Sequence, residues 1–255
     1  MSRSNERARS APHPPLARYY AGDGRRREFV TELFDRTASG YDWINHVMSF
    51  GSGLRYRRDA LRRAGLTVDA ERVLDVAVGT GLVARAAHEI LGPQGRITGL
   101  DPSAGMLAEA NAALPITLVQ GVAERLPFAD ACADFVTMGY ALRHVADLES
   151  TFREYLRVLK PGGVLLVLEL TPPEQRSAGY FLTRFYLRSV VPLLARLGPG
   201  GRDAGTLMEY FWDTVDQCVP PATILEAMAD SGFDTPRRGI VFRIFSEYVA
   251  TKSSR

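Results

Sequence analysis

Short apolar runs alternate with helix-length stretches from residue 72 to residue 170, and no other feature restricts the fold as much. Arg72-Val73-Leu74-Asp75-Val76-Ala77-Val78 reads as a buried strand, stopped by Gly79-Thr80-Gly81. A helix over 82–91 follows and is closed by Gly92-Pro93. The rhythm then repeats, with a strand over 96–100 ending at Asp101-Pro102-Ser103, a helix over 104–113, and strands over 116–120 and 134–139. A helix over 148–159 and the turn Lys160-Pro161-Gly162-Gly163 lead into the most apolar run, 164–170. Strands that are apolar throughout have no face to show to water. Alternating with helices, they predict an α/β fold whose parallel sheet is covered on both sides. A helix over 222–231, ended by Gly232, and runs over 235–241 and 245–251 predict an antiparallel close to that sheet.

The rest of the chain frames this unit. At 255 residues it is long for one domain, so a single large domain with an insertion is expected, here 28–255. The first 27 residues carry seven arginines and three prolines and read as a basic flexible arm, with Leu16, Tyr19 and Tyr20 as an apolar patch suited to docking. That patch can cover the substrate mouth or dock on a neighbouring subunit of a homo-oligomer. Residues 29–34 and 41–50 have helical spacing. From about 171 to 221 the strand rhythm breaks, and 178–197 is dense in large apolar residues interspersed with Arg184, Arg188 and Arg196. Such a segment suits a helical lid over a lipophilic substrate. Its arginines admit peripheral contact with a membrane surface, although Pro192 interrupts the helix.

Composition removes several function classes. Arg plus Lys is 31 against 29 acidic residues, which gives no support to a nucleic-acid binder. Cys132 and Cys218 form neither a ligand-spaced cluster nor a disulfide framework, and His13, His46 and His88 show no metal-like grouping, so no metal is assigned. No apolar run is long enough for a membrane span and no signal peptide opens the chain, so a cytoplasmic enzyme is expected.

In an open parallel sheet, ligands sit beyond the carboxyl ends of the strands. Gly79-Thr80-Gly81 is such an end, where glycines admit close approach and the next helix offers unpaired N–H groups. Asp101 ends the following strand, where a carboxylate can take two ribose hydroxyls. This pattern alone fits a dinucleotide enzyme as well. The added blocks Gly121-Val122-Ala123-Glu124, Leu126-Pro127-Phe128 and Leu159-Lys160-Pro161-Gly162-Gly163 break the tie, because with them the chain resembles the class I S-adenosylmethionine methyltransferases. Phe34-Asp35-Arg36-Thr37-Ala38-Ser39-Gly40-Tyr41-Asp42, Asn45-His46-Val47-Met48-Ser49-Phe50-Gly51, Leu74-Asp75-Val76-Ala77 and Ala141-Leu142-Arg143-His144-Val145-Ala146-Asp147 narrow it. With Val167-Leu168-Glu169-Leu170, they resemble the ubiquinone/menaquinone C-methyltransferase family, whose members methylate a ring carbon of a polyprenylated quinol.

The resemblance implies a Rossmann-like sheet, S-adenosylmethionine as cofactor and S-adenosylhomocysteine as product. It implies that Ala77, Gly79, Thr80 and Gly81 hold the methionine part. Asp101 would bind the ribose, and Val122 and Ala123 would flank the adenine. Met138 and Gly139 would line the sulfonium region, and Tyr41 would cap the cofactor. Some positions depart from the family pattern. Val78 replaces a glycine, and Val122 lacks an adenine-bonding side chain, which leaves backbone atoms or Glu124 to serve. His144 stands where the family has Asn, and Met208-Glu209-Tyr210 replaces Tyr-Arg-Tyr.

A carbon nucleophile is weak, so an aromatic ring must be made electron-rich by removing a hydroxyl proton. Tyr140, Arg143 and His144 follow the fourth strand at the cofactor edge. There His144 can act as general base and Arg143 can stabilise a phenolate. The expected activity is methyl transfer to a carbon of a prenylated or aromatic small molecule, with O- or N-methylation of a natural product as the alternative.

Overall fold

A computed structural model describes residues 11–49, 51–172, 177–198 and 201–254. Seven strands form one sheet: β1 Arg72–Val76, β2 Arg96–Asp101, β3 Thr117–Gln120, β4 Ala133–Gly139, β5 Leu159–Leu170, β6 Asp234–Val241 and β7 Phe245–Thr251. Their order is β3-β2-β1-β4-β5-β7-β6, with β3 to β5 parallel and β7 antiparallel to both of its neighbours. The expected α/β sheet with an antiparallel close is therefore present. β7 comes last in the chain yet slots between β5 and β6.

The helices are α1 Arg26–Ser49, α2 Gly53–Arg63, α3 Leu82–Leu91, α4 Ala104–Ala113, α5 Leu148–Val158, α6 Ala178–Phe185, α7 Val191–Leu197, α8 Gly201–Asp216 and α9 Pro221–Asp230. Alternate strand residues feed two cores, as a period of two requires. Leu74, Val136, Leu165 and Val167 face α5 and α9. Val73, Phe135, Leu166 and Leu168 face α2 and α3. Ser103 and Asp147 start α4 and α5 by accepting the Met106 and Ser150 amides.

A third apolar core lies beyond the carboxyl ends of the strands. It joins Leu16 and Tyr20 to Leu33 and Ile44 of α1, Tyr180, Leu187 and Val191 of the 178–197 segment, and Trp212 of α8. This roof holds the main departures from the sequence reading. The arm, expected to be flexible with a docking patch at Leu16, Tyr19 and Tyr20, is folded from residue 11 onward onto its own chain: the Tyr19 hydroxyl donates to Asp213 at 2.7 Å, Arg18 pairs with Glu209, and the Val219 amide donates to the Pro12 carbonyl. Its first ten residues lie outside the described ones. Pro192 does not break the helical path of this segment. A π turn at Tyr186–Val190 carries the chain from α6 to α7, and Pro192 sits buried directly after it, at the second residue of α7. Helix α8 lies within the expected helical insertion, 171–221, beyond its apolar-dense part. At the other end, Lys160-Pro161-Gly162-Gly163 is an irregular excursion within β5, which resumes pairing with β4 at Val164.

Candidate functional site

The chain turns sharply after β1. Ala77, Gly79 and Gly81 have φ of 58°, 56° and 90°, so the strand ends two residues earlier than its apolar run suggests. A side chain at Gly79 would point into open space, whereas one at Gly81 would meet Leu114 at 2.9 Å. Gly79 thus leaves room for a ligand, and Gly81 lets the loop lie against α4. Val78, the departure from the family loop, turns inward: it is buried, and Gly99 of β2 makes room for it.

Two carboxylates flank this loop. Asp101 is buried, and its two oxygens accept the Gly79 and Ser103 amides, both at 2.9 Å. Burial raises its pKa to about 6 against those two amides. Asp75 accepts from the Thr137 hydroxyl at 2.8 Å and from the Ala84 amide, yet its Oδ2 is buried without a partner. Burial pushes its pKa up to about 7. Beside them the Arg57 guanidinium is buried, lies 5.0 Å above the Tyr140 ring, and leaves Nε unpartnered.

Helix α1 roofs the loop and is pinned at two points. The Thr80 hydroxyl donates to Asp42, while Asp35 accepts from Ser103 Oγ at 2.5 Å and from the Gly105 amide at 2.9 Å. Between the pins, half-buried Tyr41 meets the Phe34 ring edge-on at 5.9 Å. At the third strand end, Val122 and Arg125 form an isolated bridge and Ala123 is buried. Glu124 accepts the Ala146 amide at 2.6 Å and has the Arg27 guanidinium at 3.6 Å. Met138 belongs to the core below, where its sulfur accepts from the Tyr155 hydroxyl, so its side chain does not line the site. Gly139 has no side chain to obstruct it and packs on Val83.

Beyond β4 the three expected catalytic residues separate into different roles. Arg143 is buried and its guanidinium is committed: Nη1 to Glu169 at 2.6 Å, Nε to the Thr214 hydroxyl at 3.1 Å, and Cζ 4.3 Å above the Phe211 ring. It anchors its loop rather than facing an acceptor. Tyr140 has φ 61°, and its pKa is raised by burial, so the hydroxyl stays protonated. His144 stacks on Tyr210 at 5.5 Å and meets Phe34 edge-on at 5.5 Å. Its Nδ1 lies 3.4 Å from the Tyr210 hydroxyl and its Nε2 is buried without a partner. Burial and the nearby charges of Arg143 and Arg26 hold its pKa well below the usual histidine range, so the ring is neutral.

No local pattern announces the group behind His144. Arg26 Nη2 donates to the Arg143 carbonyl at 2.6 Å and to His13 Nε2 at 2.8 Å, and His13 bonds the Pro14 carbonyl. Asp35 and Asp42 lie inside the quoted entry motif but received no role there, and Arg57 sits in an arginine-rich helix that reads as ordinary solvated surface. Among the described residues no group of three or more His, Cys, Asp or Glu could hold a metal ion, and no helix is long and apolar enough to cross a membrane.

The arrangement fits S-adenosylmethionine chemically. Asp101, anchored on both oxygens, retains lone pairs for a ribose diol. The uncapped start of α3, the orphan oxygen of Asp75 and the orphan nitrogen of Arg57 match a zwitterionic amino-acid end. The family model of the ubiE/COQ5 methyltransferase family matches residues 22–237.

The chain belongs to the ubiE/COQ5 methyltransferase family. A demethylmenaquinone methyltransferase of Thermotoga maritima is 34% identical over 227 residues, covering 89% of this chain and 97% of that protein. The ubiquinone/menaquinone biosynthesis C-methyltransferase UbiE of Desulfotalea psychrophila is 41% identical over 66% of this chain and 68% of its own. Among solved structures, a phosphoethanolamine N-methyltransferase of Haemonchus contortus in complex with S-adenosyl-L-methionine superposes with a TM-score of 0.64 at 18% identity, covering 94% of this chain and 62% of that one. A SAM-dependent methyltransferase of Aquifex aeolicus gives 0.56 at 17%, covering 76% and 88%. These two speak for the fold. The protein is an S-adenosylmethionine-dependent methyltransferase of this family.

Proposed function

We propose that the chain moves a methyl group to a ring carbon of a lipophilic quinol-type acceptor held beneath the roof, with His144 as general base. The observation that carries this reading is the buried, unpartnered Nε2 of a neutral His144 among the rings of Phe34 and Tyr210, at the strand edge that holds the cofactor loop. The names of the relatives, which specify demethylmenaquinone and ubiquinone/menaquinone chemistry, support the acceptor class.

S-adenosylmethionine supplies, when bound, a methyl carbon on a sulfonium leaving group. The protein's own task is binding, alignment, exclusion of water and control of one proton. Asp101 takes the ribose hydroxyls. Ala77, Gly79, Thr80, Gly81, Asp75 and Arg57 hold the amino-acid end, and the main chain of Val122 and Ala123 flanks the adenine. Tyr41 closes over the cofactor from α1, pinned through Asp35 and Asp42. His144 Nε2 accepts the acceptor's hydroxyl proton as the ring carbon attacks; the proton on that carbon is then lost to solvent to restore aromaticity, and His144 returns its proton to the oxygen, so one proton is released overall. Tyr140 keeps its proton and donates toward the developing oxyanion. Arg143 and Glu169 are positioning residues that fix the 140–145 loop.

The test is a panel of prenylated quinols, phenols and indoles with isotopically labelled methyl donor. The expected product carries the label on a ring carbon, and a label on oxygen or nitrogen overturns the carbon assignment. His144→Ala should lower turnover by about 10²–10⁴-fold with cofactor affinity intact by calorimetry. Unchanged turnover at every pH would make the histidine structural.

A further inference from the structure

Among the described residues, every exposed large apolar side chain except Val68 lies on elements at the cofactor edge of the sheet. On α6, Phe181, Leu182 and Phe185 are 56%, 71% and 62% exposed. On α7, Leu193 and Leu197 are 60% and 79% exposed, and Trp43 of α1 packs against Gly198 just beyond them. The inward faces of the same segment, Tyr180, Leu187 and Val191, already fill the roof core, so the outer faces have no task in folding. A second apolar point, Phe242 at 78% exposure, caps the β6–β7 hairpin. It lies at the same edge, because Phe245 pairs with Leu170 at the end of β5 and the Thr171 amide donates to the Ile244 carbonyl. An apolar face on this scale is uncommon on a free surface.

Charge identifies the occupant. Neither 178–198 nor 235–246 contains an acidic residue, while they carry Arg184, Arg188, Arg196, Arg237, Arg238 and Arg243. Of these, only Arg196 has a carboxylate within 4.0 Å among the described residues, Glu209. Two copies meeting through this end would bring like charges together. An anionic lipid surface instead offers phosphates to the arginines and acyl chains to the leucines and phenylalanines.

We propose that this end of the molecule is a seat on an anionic bilayer, with the outer faces of α6 and α7 and the hairpin tip in the headgroup region. The proposal takes from the functional reading only that the acceptor is lipophilic. Seated this way, the roof opens toward the membrane, and a long-chain acceptor reaches His144 without crossing water.

The test is flotation of the full chain with phosphatidylcholine vesicles, with and without phosphatidylglycerol. The wild type should float with the anionic vesicles, less so at high salt, and stay behind with the neutral ones. Leu182→Glu with Leu197→Glu, and Arg184→Glu with Arg188→Glu, should each reduce flotation by about tenfold or more. S-adenosylmethionine affinity and turnover on a short-chain, water-soluble acceptor should not change, while turnover on a vesicle-embedded long-chain acceptor falls. A wild type that fails to float, or variants that float as well as it does, overturns the proposal. So does a lipid-free dimer that these substitutions dissociate, which would assign the face to a second copy. Failure to methylate any quinol would sink the functional reading, while the flotation result still decides this one.

Discussion

Asp101 shows how one side chain couples ligand and proton. Its carboxyl is held at about 6, above the ordinary 3.8, because burial outweighs the two amides that favour the charged form. A group whose folded value is raised binds more protons in the fold than in the open chain, so its contribution to the unliganded protein becomes less favourable as pH climbs through about 6. Ribose hydroxyls donate to the ionised form and reverse that preference. Cofactor affinity should therefore rise with pH up to about 6 and then level off, and calorimetry across that range is the check. Asp101→Ala should weaken binding by about 1–3 kcal/mol and flatten the profile. A profile that still bends at the same pH in the variant would move the titration to another group, with Asp75 next in line.

At the level of elements, the loop after β4 depends on one buried pair. Arg143 and Glu169 are both almost fully buried, and Glu169 also accepts the Arg143 and Leu170 amides. Glu169→Gln leaves a guanidinium in the interior without its counter-charge, which should cost about 3–5 kcal/mol in a denaturant titration. Arg143→Met with Glu169→Leu should recover much of that loss and leave turnover low, because the loop keeps its packing and loses its exact placement. The parallel part of the sheet was legible because β1, β2 and β4 are largely apolar and end at or just before a Gly or Asp, whereas β6, Asp234–Val241, carries two arginines and little apolar pattern. The roof was illegible because that core is assembled from pieces far apart: Tyr19 meets Asp213 across 194 residues, and no local pattern announces such a contact. The turns after β1 and β2 were readable from their Gly and Asp residues, and the proposed cofactor contacts rest on those turns. Met138 was misplaced because position along a strand does not tell which face a side chain takes when both faces are buried, and Arg143 because a buried pair and a catalytic cation look alike in one dimension.

Across the whole molecule, the folded arm ties the chain's first described residues to α8 and, through His13 and Arg26, to the 140–145 loop. Removing residues 1–24 strips Leu16 and Tyr20 from the third core, and with them the Tyr19–Asp213 and Arg18–Glu209 links. The truncated protein should melt several degrees lower and lose turnover more than cofactor affinity, since the cofactor loop is pinned from α1 instead. Equal melting temperature and equal turnover would reduce the arm to decoration. The position of β7 has a further consequence, one for biosynthesis. Strand β5 keeps its Val164-to-Leu170 flank unpaired until β7 has been made, because its partner on that side, Phe245–Thr251, follows every other strand of the sheet in the chain. Until then a nearly complete domain displays one open, strongly apolar strand edge, a template for pairing with another chain. A chain ending at Val241 should therefore collect in inclusion bodies however intact its cofactor motifs, and adding back a synthetic peptide of the missing strand during refolding should return part of it to solution.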